Sequence, residues 1–154
     1  MRYSAILASF ILLFSGSVLA ASSDPVQLDV TKPNFIQQKD TILKAVNTDV
    51  NYGEISPADR VVVDKALSNI SDQFKDVQTF STLQADVQQQ VLVDQKNLND
   101  ALRQAKKDSR MICKMEPTLG SNFDKKVCRT AAQLKRENDK IRDEGTNEIG
   151  RAHV

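Results

Sequence analysis

The chain has 154 residues, 40% of them hydrophobic but only 5% aromatic, with no Trp and a formal net charge of +1. A length of this order supports one modest domain with a small core and little room for a large buried pocket. The balanced charge supplies no global attraction to nucleic acid, so that class of partner is not expected.

Residues 1–20 have the three parts of a cleavable secretory signal. Arg2 supplies the positive start, residues 5–14 are an uncharged apolar run, and Val18-Leu19-Ala20 follows Gly16 and Ser17 as an A-x-A-like cleavage site. The run is shorter than the roughly 20 apolar residues of a spanning helix, and Ser22-Ser23-Asp24-Pro25 after it is polar. No Cys follows to accept lipid. The mature chain is therefore expected to be exported, periplasmic or extracellular, soluble, without a transmembrane segment and not a lipoprotein. Residues 21–33 read as a flexible lead-in.

Helical periodicity then takes over. Phe35, Ile36, Ile42, Leu43 and Val46 make an apolar face over residues 34–48, closed by the turn formers of residues 47–53. Ser56 as N-cap, Pro57 at the first helical position and Asp59 in the first turn open a second helix. Its stripe is Val62, Val63, Ala66, Leu67, Ile70 and Phe74. A third helix is expected over residues 82–115, with Leu83, Val87, Val91, Leu98, Leu102, Ala105 and Ile112 buried and Gln95 and Ser109 as polar interruptions. Pro117 stops it. A fourth, mostly charged helix is expected over residues 126–144 on a thin stripe of Val127, Ala131, Leu134 and Ile141.

The fold class that follows is all-α: a small antiparallel bundle of about four helices over residues 34–144. Residues 145–154 are expected to form a disordered tail.

Cys113 and Cys128 are the only cysteines. An even count in an exported chain implies a disulfide, here closing the loop between the last two helices. Closing such a loop is worth about 3 kcal/mol in the chain-entropy model. A redox pair usually shows C-x-x-C spacing, and structural zinc needs four ligands; the single His, His153, lies in the tail. Neither a metal nor a cofactor is expected.

No catalytic residue can be assigned. Ser–His and Cys–His chemistry lacks its base, and no G-x-S-x-G, H-E-x-x-H or Gly-rich phosphate loop is present. Asp139 and Asp143 sit four apart among Lys135, Arg136, Lys140 and Arg142, a pattern of solvated ion pairs. Asp49, Asn51 and Gly53 alternate as in a calcium loop, but Glu54 stands where that loop needs Gly and Arg60 where it needs Glu. Asn69-Ile70-Ser71 matches a glycosylation sequon inside the second helix.

The charge is uneven along the chain. Residues 21–100 carry seven Lys/Arg against twelve Asp/Glu, and residues 101–154 carry thirteen against eight. Two mutually attracting halves of one fold account for this; a basic surface for an acidic partner is the sharper reading. Gly120, Ser121 and Asn122, with Lys125, Lys126 and Arg129, are the candidates for partner contact. The same Gly-Ser-Asn also reads as an ordinary left-handed turn, the plainer account.

Asp94-Gln95, Asn97-Leu98-Asn99, Asp108-Ser109-Arg110, Cys113, Gly120-Ser121-Asn122 and Cys128-Arg129-Thr130 follow one another in a characteristic order. With Tyr52-Gly53-Glu54-Ile55-Ser56 and Asp59-Arg60 upstream, the chain resembles a family of small exported helical proteins of proteobacteria over residues 52–130. The resemblance implies export and paired cysteines, and implies no activity.

The functional expectation is an exported, non-catalytic helical protein acting through protein–protein contact. The alternative is envelope association, with Lys106, Lys107, Arg110, Lys114, Lys125, Lys126 and Arg129 on anionic lipid or glycan.

Overall fold

The computed structural model describes residues 26–77, 79–120 and 122–151. The expected signal peptide, the first part of the lead-in and the last three residues lie outside them. Helix α1 spans Phe35–Thr48, α2 Pro57–Gln73, α3 Ala85–Ser109 and α4 Ala131–Arg151; strands β1 (Met111–Pro117) and β2 (Asp124–Thr130) fall between α3 and α4. The protein is mostly helical, but it is not all-α.

The first two helices start where the sequence places them. Asn34 takes the left-handed conformation (φ 68°) ahead of α1, which its short polar side chain tolerates. Ser56 caps α2: its hydroxyl oxygen accepts from the Asp59 amide at 3.0 Å and donates to the Asp59 carboxylate at 2.7 Å. Between them, Asp49 accepts from the Asn51 amide and caps a single 3-10 turn, Val50–Tyr52. This hydrogen bonding is what the alternating Asp-x-Asn pattern serves.

The expected third and fourth helices are both cut back at their facing ends. Helix α3 stops at Ser109, Arg110 turns extended, and residues 111–117 and 124–130 pair as an antiparallel hairpin. Its register places Cys113 directly opposite Cys128. Two cysteines joined across adjacent strands hold both stretches extended, and β-branched Ile112 and Val127 suit that conformation. Ile112 also falls at helical spacing from Ala105, so periodicity alone misassigns it. At the other end, α4 continues through Gly145 as far as Arg151, so the expected tail is helical over residues 145–151.

The core is built from α1, α2, α3 and the segment preceding them. Ile42, Val63, Ile70, Leu98 and Leu102 are fully buried, and Phe35 stacks on Phe74 at 5.3 Å. Leu28 and Val30, each 1% exposed, belong to the same core. From Val26 onward the expected lead-in is packed against the core. Its backbone is held by side chains: the Val26 amide donates to the Tyr52 hydroxyl, the Asp29 amide to Gln38 and the Val30 amide to Gln95. Gln38 donates in return to the Asp29 carbonyl. The alternation Val26-x-Leu28-x-Val30 is the sequence signal for this extended, half-buried segment. Among the described residues, no helix is long and apolar enough to cross a membrane.

Candidate functional site: the hairpin and the cleft at its root

The disulfide expected from the cysteine count is formed between Cys113 and Cys128. Strand alternation gives the hairpin two unlike faces. One carries Met111, Cys113 and Met115 with Thr130, Cys128 and Lys126 opposite; the other carries Ile112, Lys114 and Glu116 with Arg129, Val127 and Lys125. On the second face Arg129 is bound by two acids, Glu116 across the hairpin and Glu137 on α4. This contact turns that face toward α4 and holds the Glu116 carboxyl below its ordinary value through the guanidinium beside it.

The first face points outward. Met111 is 57% and Met115 60% exposed, and at the far end Leu119 and Phe123 are exposed by 102% and 81%. The loop between the strands turns through Gly120 at φ 80°, the left-handed region that favours Gly. The plainer reading of Gly120 thus accounts for its place. Asn122, Lys125 and Lys126 are exposed beside it, while Ser121 lies outside the described residues.

The five described candidates for partner contact, Gly120, Asn122, Lys125, Lys126 and Arg129, do not share one face. Period two sends Lys125 and Lys126 to opposite faces, and Arg129 is spent on Glu116 and Glu137. A helix starting at Lys126 would have grouped them differently, and the strand is what separates them. Sequence reading missed the apolar members of the site, Met115, Leu119 and Phe123. Their signal is that no helical or strand pattern gives them a buried place.

At the root of the hairpin lies an open cleft of about 810 Å³, lined by Val50, Glu54, Arg103, Lys106, Lys107, Ser109, Arg110, Met111 and Thr130 among others. Arg103, Lys106 and Lys107 come from the last turns of α3, Lys106 and Lys107 three and four residues after Arg103 and so on its side of the helix, and Arg110 follows at the C-cap. The single acid of the cleft is committed: the Thr130 hydroxyl donates to Glu54 Oε1 at 2.8 Å and Arg136 to Oε2 at 3.0 Å. Arg136 and Thr130 together hold the Glu54 carboxyl below its ordinary value. Ser109, 6% exposed, accepts from the Glu54 amide at 2.9 Å.

Among the described residues, no group of three His, Cys, Asp or Glu side chains comes together to hold a metal ion. No protein-family model matches the chain, and comparison with curated proteins and with solved structures gives no match.

Proposed function

We propose that this chain is an exported, non-catalytic binding protein that engages a protein partner through the outward face and tip of its hairpin. The observation that carries the reading is the apolar set Met111, Met115, Leu119 and Phe123, each more than half exposed on one small element. Apolar side chains gathered outside the core are a mark of interaction surfaces. The disulfide supports this by fixing the backbone before contact, which lowers the entropy lost on binding. Met side chains add an adaptable surface. Lys126, opposite Met115 on the same face, borders the patch and favours a partner with an acidic group beside an apolar centre. Export rests on the N-terminal pattern of residues 1–20 and on the disulfide, which persists in oxidising compartments.

The test compares crosslinked complexes of the exported chain with those of its Met115→Asp and Phe123→Asp variants. A partner retained by the parent and lost from both variants supports the reading. Identical complexes from all three, or none from any, overturns it.

A further inference from the structure

We propose that the cleft at the hairpin root binds a single-chain anionic amphiphile, a carboxylate or phosphate head on a hydrocarbon tail. Several polar side chains lining the cleft already have partners. Among its uncharged polar side chains, Asn51 donates to Asp49, Ser109 accepts from the Glu54 amide, and Thr130 donates to Glu54. Glu54 itself is bonded to Thr130 and Arg136. What the cleft still offers a ligand is positive charge and apolar surface.

The charge comes from the last turns of α3 and from its C-cap residue, Arg110. Arg103 is paired with Asp100, whereas Lys107 and Arg110 are exposed and enter no ion pair among the described residues. Cations at a helix C-terminus complement its dipole, and that alone would account for Lys106 and Lys107. It does not account for Val50, 84% exposed, and Met111, 57% exposed, standing on the same cleft. The aliphatic stems of the Lys and Arg side chains extend that apolar wall. At about 810 Å³ the cleft is of small-molecule size, within the roughly 300–1,000 Å³ of ligand sites. A ligand that satisfies both features carries its charge at one end and hydrocarbon at the other.

The cleft and the hairpin tip are separate surfaces. The two surfaces share Met111 and Thr130 but not Met115, Leu119 or Phe123.

The test is a fluorescence titration of the intact chain with dansyl-undecanoic acid below its micelle concentration, competed by fatty acid and by fatty alcohol of equal length. Saturable one-to-one binding is expected, displaced at least about tenfold better by the acid than by the alcohol, the scale of one charge-assisted hydrogen bond. The double variant Lys107→Glu, Arg110→Glu should weaken binding by a similar factor or more, and Phe123→Asp should leave it unchanged. Both cations are exposed, so circular dichroism should show the charge-reversed variant folded; Arg110→Lys, which keeps the charge, should bind nearly as the parent does. Absence of saturation, equal affinity of the charge-reversed variant, or binding only to anionic vesicles overturns the proposal.

Discussion

Asn99 holds Leu28 by both polar groups of its backbone. The Leu28 amide donates to Asn99 Oδ1 at 2.8 Å, and Asn99 Nδ2 donates to the Leu28 carbonyl at 2.9 Å. This pairing across 71 residues seats an extended segment on α3 with no strand beside it.

Replacing Asn99 by Leu removes both partners from a residue that is 1% exposed. A buried backbone group left unpaired costs about 1–3 kcal/mol, so Asn99→Leu should destabilise the protein by about 2–4 kcal/mol. Asn99→Asp keeps the acceptor but loses the donor, and sets a carboxylate against the Leu28 carbonyl; it should cost no less. Urea unfolding checks both, read as a lower midpoint at unchanged slope. Hydrogen exchange at the Leu28 amide should accelerate in each variant.

Gln95 and Asn99 show where sequence reading succeeds and where it stops. The stripe of α3 was legible because Val91, Leu98, Leu102 and Ala105 recur at helical spacing, and all four are buried. Gln95 and Ser109 stood out only as interruptions. Their partners, the Val30 and Glu54 amides, lie 65 and 55 residues away. Periodicity within one segment carries no information about such pairs. The cysteines were legible as a bridge, since an even count in a chain expected to be exported suffices for that. The strands they join were not, because seven-residue stretches with only one or two β-branched side chains each fit a helix end equally well.

Ser109→Ala is the second prediction. The change leaves α3 intact, since Ala is the better helix former, but the Glu54 amide loses its acceptor. A loss of about 1–2 kcal/mol is expected, measured by thermal or urea unfolding. If the hydroxyl were merely tolerated, Ala would be neutral or stabilising.

Glu54 should also give the protein part of its acid sensitivity. Arg136 and Thr130 lower its folded pKa, so its contribution to stability is fully present above the ordinary glutamate value. It is lost as pH falls from there through the lowered value, because the unfolded state then takes up the proton more readily. Glu54→Gln should be less stable than the parent near neutral pH, with the difference shrinking as the pH falls across that window. Asp29, Asp100 and Glu116 are likewise lowered and persist in both proteins, so the difference between the two unfolding curves isolates Glu54.

The core and the last helix should respond very unequally to the same truncation. Ile70 is fully buried, and Ile70→Ala should cost about 2–5 kcal/mol through lost transfer energy and a cavity. Ile141, assigned from spacing to the stripe of α4, is 68% exposed. Ile141→Ala should change stability by less than about 0.5 kcal/mol. Chemical denaturation of the two variants side by side measures the contrast.

Reduction of the disulfide should open the hairpin without unfolding the body. The entropic constraint of a loop this size is worth about 3 kcal/mol. Where that free energy is felt depends on what the loop holds together. Among the described residues, every member of the buried core cluster lies between Leu28 and Ala105, and none comes from the hairpin or α4. The hairpin is tied to the body by few groups: Glu54 to Thr130 and, through α4, to Arg136, and the Ala131 amide to the Arg110 carbonyl. A Cys113→Ser, Cys128→Ser variant should therefore keep its helical circular dichroism and most of its melting temperature. Amide exchange should speed up over residues 111–130 and stay slow at Leu98 and Leu102. Loss of helical signal together with the bridge would mean that the hairpin is part of the cooperative core. A disulfide serving the surface more than the fold predicts the local result, in which partner binding weakens while the body remains folded.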